Sequence, residues 1–355
     1  MATVTIVGAG YMGTAVAYPL ADNGHDVRLV GTHLDADIIR SCRDKHYHPK
    51  LKRDLPPGVR SYFVEDLAEA MDGAEIIVSG VNSLGVHWIG PAIGPHLRPG
   101  QLIIAITKGL EATDDGDLVI LPDVVRGELP AGVRDQVHLA AVGGPCIAGE
   151  LAARRDICVV FGCRDGEAVE KLAATFRTPY YHIWTTTDLV GLELCAALKN
   201  AYVLGVGLAG GALQKLGGAN EYGGSTWNMA SALFAQGTTE IARWLEIIGG
   251  TLKFAYGLPG AGDQYVTAQG GRTVRLGNLL GAGHTYAEAR EIMAGETLES
   301  AEIVRNMGTA LPRLTARGVV RPDEFPLMRT LIDIVVHGHP AQVPFDRFFG
   351  GPNRL

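Results

Sequence analysis

Several large protein classes are excluded by what this chain does not contain. It has no Cys-x-x-Cys pair, and its five cysteines (Cys42, Cys146, Cys158, Cys163 and Cys195) are odd in number and scattered. That argues against a disulfide framework and fits reduced thiols. Positive charge is not in excess: 31 Lys and Arg stand against 38 Asp and Glu, a net charge of −7. General binding to nucleic acid or a membrane surface is therefore not expected. A small anionic substrate is not excluded, because surface charge is screened over about 8 Å and a local basic cluster can dominate. Low-complexity tracts and short repeats are missing. Charged residues reach only 19% against 47% hydrophobic, and 47 glycines are spread among apolar runs, the composition of an α/β enzyme. The start, "MATVTIVGAG", carries neither a basic segment nor a long apolar stretch of the secretory kind, so a cytoplasmic protein is expected. One apolar run, residues 189 to 211, is long enough to span a membrane, but Glu193, Lys199 and its glycines favour a buried core helix.

A length of 355 residues exceeds what one hydrophobic core usually serves and suggests two domains. In the first half, "TVTIV", "DVRLV", "AEIIVSGV", "LIIAIT", "VHLAAV", "DICVVFG" and "YYHIWTTT" are short β-rich runs separated by segments long enough for crossover helices. This predicts a doubly wound (Rossmann), mostly parallel sheet over residues 1–188. From Asp188 the pattern turns helical, with apolar residues at three- and four-residue spacing in "WNMASALFAQGTTEIARWLEIIG", "LESAEIVRNM" and "FPLMRTLIDIVV". An all-helical second domain over 189–355 is the expectation. It is interrupted by two glycine-rich stretches, "AGGALQKLGGANEYGGSTW" and "YGLPGAGDQYVTAQGGRTVRLG".

Directly after the first strand comes "GAGYMGTAVA", which places Gly8, Gly10 and Gly13 in G-x-G-x-x-G spacing. Alone that pattern is weak; between a strand and a helix it reads as a dinucleotide site. Gly8 permits the turn, Gly10 lets the backbone approach a pyrophosphate, Gly13 allows close helix packing, and the helix N-terminus favours the anion. The second strand ends in Gly31 and Thr32, with neither the usual acid for a ribose hydroxyl nor an arginine for a 2′-phosphate. Asp35 lies too far along for that acid, and His33 and Arg40 could serve a phosphate or simply face solvent. NAD is the expectation and NADP stays open. Two histidine groups, Cys42 with His46 and His48, and His337 with His339, have metal-like spacing but no full ligand set nearby in sequence, so no metal site is expected.

Within the apolar run 189–211, Lys199 and Asn200 stand out, since a buried ammonium costs several kcal/mol unless paired. Here the motifs "ITKGLE", "VGGPCIAGELA", "LELCAALKNAYVLGVG", "NMASALFAQGTTE" and "GAGDQYVTAQGGRTVRLG" resemble, in order and nearly end to end, those of the NAD(P)-dependent glycerol-3-phosphate dehydrogenases. The resemblance implies hydride transfer between a nicotinamide cofactor and dihydroxyacetone phosphate or sn-glycerol 3-phosphate. It implies Lys199 as proton donor and acceptor, oriented by Asp263 and Thr267, with Lys108 polarising the carbonyl. Arg272, Asn200 and Thr273 would hold the small phosphorylated substrate. Cofactor contacts are implied for Gly8, Gly10, Tyr11, Met12, Gly13, Lys108, Ala148, Arg272 and Glu296, and Arg275 reads as structural or a cofactor contact. Glu150, Asn228 and Glu240 fall in the matched motifs. A homodimer without nucleic-acid partner or membrane span is expected.

The chain departs from the family pattern at Thr273, where asparagine is usual, and at Cys146 and Ile147, where a serine and an aromatic are usual. The segment between Asn200 and Asn228 is also longer. These changes leave open the same chemistry on a longer keto-polyol phosphate, with Asn220, Glu221 and Tyr222 as partners for its hydroxyls. A dinucleotide-binding regulatory protein without turnover is a further alternative; it would have no need of a proton donor.

Overall fold

The structure is a computed structural model that describes residues 1–220 and 222–349. The chain divides into two compact units, one of Met1–Lys108 and Ile120–Glu193, the other of Gly109–Val119 and Leu194 onward. In chain order the strands are β1 (Thr3–Val7), β2 (Asp26–Val30), β3 (Tyr47–His48), β4 (Arg53–Asp54), β5 (Arg60–Tyr62), β6 (Ile76–Ser79), β7 (Leu102–Ala105), β8 (Leu110–Ala112), β9 (Leu118–Ile120), β10 (His138–Gly143), β11 (Ile157–Cys163) and β12 (Tyr181–Thr186). Eight of them form one sheet in the order β12-β11-β10-β7-β6-β1-β2-β5. Every adjacent pair is parallel except β10 with β11. All seven expected runs are strands of this sheet. The eighth, β5, is a short polar edge strand, "RSY", with no apolar pattern to announce it.

Alternation along the strands feeds two cores. Val4, Ile6, Val27, Leu29, Ile76, Val78 and Ile104 belong to one apolar cluster, while Val7, Val30, Ile77 and Ile103 belong to another. Both faces are therefore covered, as a parallel sheet requires, and the strands read as near-continuous apolar runs. The helices of this unit are α1 (Tyr11–Ala15), α2 (Ala17–Asp22), α3 (Ala36–Lys45), α4 (Leu67–Met71), α5 (Val86–Ile93), α6 (Leu121–Glu128), α7 (Ala148–Ala152) and α8 (Gly166–Phe176). Strand order reverses at β1, which lies between β2 and β6. The carboxyl end of β1 is thus a topological switch point, where open α/β sheets place their ligands.

The remaining helices are α9 (Leu189–Lys215), α10 (Trp227–Ile248), α11 (Lys253–Tyr256), α12 (Asp263–Ala268), α13 (Arg272–Ala282), α14 (Tyr286–Ile292), α15 (Glu299–Ala316), α16 (Pro326–Val335) and α17 (Phe345–Phe349). The unit boundary falls within α9, after Glu193. That helix has the length and apolarity of a membrane span, yet 89% of its most apolar window is buried inside the protein, so it is a core helix.

Both glycine-rich stretches interrupt the helices less than the sequence suggests. Gly210 and Gly211 lie inside α9, and only residues 216–226 form a connection. In the second stretch a π-helical turn (Leu258–Gly262) leads straight into α12, and Arg272 opens α13. Contact explains the glycines. A Cβ on Gly277 of α13 would sit 2.4 Å from the Leu204 carbonyl oxygen, one on Gly281 2.2 Å from that of Leu208, and one on Gly211 2.1 Å from that of Asn278. The α9 and α13 backbones meet with no room for side chains.

Candidate functional site

Two groups of residues carry chemistry, one in each unit. In the first unit, Gly8 has φ +115°, and a Cβ there would lie 2.6 Å from the Gly80 carbonyl carbon. A Cβ on Gly13 would be 2.0 Å from the Gly8 carbonyl oxygen, so both positions demand glycine. Gly10 is different: a Cβ there meets no atom within 4 Å. The backbone at Gly10 therefore borders open space, the cradle a dinucleotide pyrophosphate needs, and the residues present fit that group. Tyr11 is exposed, Met12 and Lys108 are half-buried, and Ala148 is buried at the start of α7. The Lys108 ammonium donates to the Gly144 carbonyl at 3.0 Å. Ile147 and Glu150 are exposed at the N-terminus of α7, and Cys146 is half-buried.

Asp35, read from sequence as too far along for a ribose hydroxyl, meets the glycine loop. Its residue number puts it beyond the tip of β2, but a turn closed by Asp35 N–H to Thr32 O folds it back. Its Oδ2 then accepts from Thr32 N at 2.9 Å, Thr32 Oγ1 at 2.8 Å and Ala9 N at 3.3 Å. The acid thus serves the glycine loop itself. His48 is fully buried and also bonds to Ala9, while His46 meets the Pro56 carbonyl at 3.3 Å and Cys42 is buried. His337 and His339 are exposed, their rings 6.0 Å apart. Among the described residues no three His, Cys, Asp or Glu side chains assemble to hold a metal.

In the second unit Lys199 is only 4% exposed and Asp263 2%. Lys199 Nζ donates to Asp263 Oδ1 at 2.8 Å and to Thr267 Oγ1 at 2.7 Å. Thr267, one turn after Asp263 on α12, donates to the same carboxylate oxygen at 3.3 Å. The π-turn sets this up: a Cβ on Gly260 would fall 2.2 Å from the Ala255 carbonyl oxygen, so the chain folds tightly on itself just before Asp263. π-turns of this kind recur at functional sites. One turn before Lys199, the Cys195 thiol donates to the Phe254 carbonyl at 3.4 Å, and burial raises its pKa well above the ordinary thiol range. Asn200 is buried beside Lys199 in the chain, Arg272 is exposed at the first turn of α13, and Thr273 is half-buried. Glu296 is paired with Arg275 at 2.6 Å, which gives Arg275 an ion-pair role. Asn228 is exposed; Glu240 is buried and accepts from Leu327 N and Met328 N at the start of α16. Of the residues named for longer substrates, Asn220 spends its Oδ1 on Tyr222 N and Gly224 N. Tyr222 is exposed, and Glu221 lies outside the described residues.

Sequence reasoning passed over Glu193. Its side chain is fully buried, neither carboxylate oxygen has a hydrogen-bond partner, and burial pushes its pKa up to about 8 despite the pull of Lys108. The signal was the one that singled out Lys199, a charge in an apolar run, but it was read only as evidence against a membrane span. His48 was noted only for its metal-like spacing with Cys42 and His46, and nothing local in "HYHPK" points to a bond with a residue 39 positions earlier.

The description NAD-dependent glycerol-3-phosphate dehydrogenase N-terminus matches residues 3–169, and the corresponding C-terminus matches residues 188–345. The NADP(+)-dependent glycerol-3-phosphate dehydrogenase of Archaeoglobus fulgidus is 35% identical over 288 residues, 81% of this chain and 82% of its own. A glycerol-3-phosphate dehydrogenase (NAD(P)+) of Bacillus cereus is 32% identical over 345 residues, covering 96% of this chain and 93% of its own. Among solved structures, glycerol-3-phosphate dehydrogenase from Coxiella burnetii superposes with a TM-score of 0.78 at 26% identity, over 96% of both chains.

Proposed function

Because the chain belongs to the NAD-dependent glycerol-3-phosphate dehydrogenase family, we propose that it interconverts dihydroxyacetone phosphate and sn-glycerol 3-phosphate, with Lys199 as the group that moves the proton. The observation that carries the assignment is the buried ammonium of Lys199, held by Asp263 Oδ1 and Thr267 Oγ1. A nicotinamide dinucleotide, NAD or NADP, supplies or accepts the hydride when bound at the glycine loop. Lys199 gives a proton to the oxygen that becomes an alkoxide during reduction, and its neutral amine takes that proton back in the reverse direction. Asp263 and Thr267 fix the direction of the Nζ protons, and the Asp263 carboxylate offsets the cost of burying the cation. Polarisation of the carbonyl by Lys108 stays in the proposal on the strength of its motif.

Arg272 holds the substrate phosphate, where the fork of guanidinium donors suits an oxyanion, with Asn200 and Thr273 as further partners. Residues 1–188 are taken as the nucleotide-binding domain and 189–355 as the catalytic one. The protein acts in the cytoplasm as a homodimer, which sedimentation equilibrium would check. The commitment of Asn220 Oδ1 to its own loop removes one of the acceptors named for a longer keto-polyol phosphate. The test is a spectrophotometric screen of NADH and NADPH oxidation against dihydroxyacetone phosphate, four- and five-carbon keto-polyol phosphates and unphosphorylated dihydroxyacetone. Preference for dihydroxyacetone phosphate by orders of magnitude is expected. Comparable rates on the unphosphorylated ketone would overturn the phosphate assignment, and no turnover with either cofactor would favour the regulatory alternative.

A further inference from the structure

The glycine loop is gripped from two directions at one residue. Ala9, between Gly8 and Gly10, is fully buried. Its N–H donates to Asp35 Oδ2 at 3.3 Å, and its carbonyl oxygen lies 2.9 Å from His48 Nε2. The direction of the second bond is fixed by the far side of the ring. His48 Nδ1 accepts from the Leu51 N–H at 2.9 Å, so it carries no proton, and in a neutral imidazole Nε2 must then be the donor. Burial, the largest influence on His48, lowers its pKa and favours that neutral form.

These bonds orient two successive peptide planes. In a trans peptide the C=O and the following N–H point in opposite directions. With the Ala9 carbonyl directed at His48, the Gly10 N–H is turned the other way. With the Ala9 N–H directed at Asp35, the Gly8 carbonyl is turned toward Gly13, where a Cβ would be only 2.0 Å from it. His48 is itself held by the β3–β4 hairpin: Leu51 lies in its turn, and the Asp54 carbonyl accepts from Tyr18 Oη on α2 at 2.7 Å. Two segments distant in sequence, the turn after β2 and the β3–β4 hairpin, thus converge on Ala9.

We propose that His48 and Asp35 form a clamp on Ala9, positioning residues that preset the glycine loop, and the Gly10 N–H in particular, for the pyrophosphate of a nicotinamide dinucleotide. The proposal rests on reading this loop as the dinucleotide site. It also gives Asp35 a role other than an acceptor for a ribose hydroxyl: the carboxylate oxygen shown in bonds here serves the loop. Preorganisation of this kind raises affinity by removing an ordering cost that would otherwise fall due on binding.

The test measures dissociation constants of NADH and NADPH by fluorescence titration of the full chain, independently of turnover. His48→Leu removes the donor to Ala9 at similar volume, and His48→Gln restores an N–H in its place. Asp35→Ala removes the acceptor; Asp35→Asn keeps an oxygen able to serve the same three donors. His48→Leu and Asp35→Ala are each expected to weaken binding about tenfold, the usual effect of stranding one buried hydrogen-bonding group. His48→Gln and Asp35→Asn should recover most of that loss. The double variant His48→Leu/Asp35→Ala should lose less than the product of the single losses, because both act on the same peptides. Ile183→Ala, a substitution of a buried residue in β12, provides a control for general destabilisation. Binding by His48→Leu and Asp35→Ala within twofold of wild type, or no weaker than the Ile183→Ala control, would overturn the clamp. So would Asp35→Asn binding as poorly as Asp35→Ala, since the charge and not the loop bond would then matter. If wild type shows no saturable binding, the dinucleotide reading itself fails and the clamp falls with it.

Discussion

A buried ion pair stabilises little by itself, because desolvating both charges offsets their attraction, but removing one partner strands the other at a cost of about 3–5 kcal/mol. Lys199 and Asp263 are such a pair, 5% and 3% exposed at their side chains. That physics separates catalysis from stability. Lys199→Met should lower turnover at least about 100-fold, the usual effect of losing a positioned proton donor, and should also lower the melting temperature by stranding Asp263. Adding Asp263→Asn should restore the melting temperature without restoring turnover. Steady-state kinetics and calorimetry on the two variants check this, and near-normal turnover in either removes Lys199 from the chemistry. Glu193 gives a second residue-scale prediction, with the sign set by its raised pKa. Below the ordinary value of 4.5 the folded and unfolded chains both hold its proton; between there and about 8 only the folded chain does. Stability from this group therefore falls as pH rises through that window and is lowest above it. Glu193→Gln removes the titration. Relative to wild type the variant should gain stability steadily from about pH 5 to about pH 8, by a few kcal/mol at most, in urea denaturation. A difference independent of pH would mean that Glu193 is ionised in the fold.

At the scale of elements, the contact between α9 and α13 joins the helix of Lys199 to the helix that Arg272 opens. Gly277→Ala would force a Cβ to within 2.4 Å of the Leu204 carbonyl oxygen, backbone against backbone. Gly210→Ala meets the Asn278 Oδ1 at the same 2.4 Å, but a side-chain amide can swing away. The first should destabilise by about 1–3 kcal/mol, the range of overpacking in a filled interior, and the second by clearly less. Displacement of α13 should also raise the Michaelis constant for the phosphorylated substrate in Gly277→Ala alone. Equal melting temperatures and constants in the two variants would refute the distinction. This contact also shows where sequence reading stops. Runs such as "TVTIV" and "LIIAIT" were legible as strands because a sheet buried on both faces leaves a continuous apolar record. Gly210 and Gly211 of α9 were read as part of an interruption because the intrinsic preference of glycine is against helix. Their actual reason, the close approach of Asn278 on α13, is absent from any local window. Lys199, Asp263 and Thr267 could be named in advance, since a charge in an apolar run demands a partner and the motif order identified it. The His48 bond to Ala9 has no such signal: it depends on a two-residue strand, β3, and a hairpin turn that only tertiary packing fixes.

At the scale of the whole chain, one short segment breaks the simple division into a first and a second half. Residues 109–119 follow Lys108 in sequence yet belong to the second compact unit. Among the bonds that hold them there, the Leu110 carbonyl accepts from Asn306 Nδ2 at 2.9 Å on α15, and Arg317, just beyond that helix, reaches Asp117 Oδ1 at 2.7 Å and the Asp115 carbonyl at 3.3 Å. Gly116, at φ +89°, lies so close to α15 that a Cβ would be 2.6 Å from Arg313 Cβ. Much of the segment, Thr113 to Asp115 and Asp117, is exposed, so polar anchors such as these contribute to its resistance to local opening. The last prediction follows. In Asn306→Ala/Arg317→Ala the first site of limited proteolysis by thermolysin should move into residues 109–119, with little change in global melting, because exposed pairs and single hydrogen bonds contribute little to overall stability. Mass spectrometry of the first fragments reads the site directly. Cleavage at the same first site as wild type would mean that apolar contacts of Gly109 and Leu110, both buried, hold the segment without the polar anchors. A shift would show that the Asn306 and Arg317 side chains help fasten the stretch next to Lys108, and that its local order can be lost while both cores remain intact.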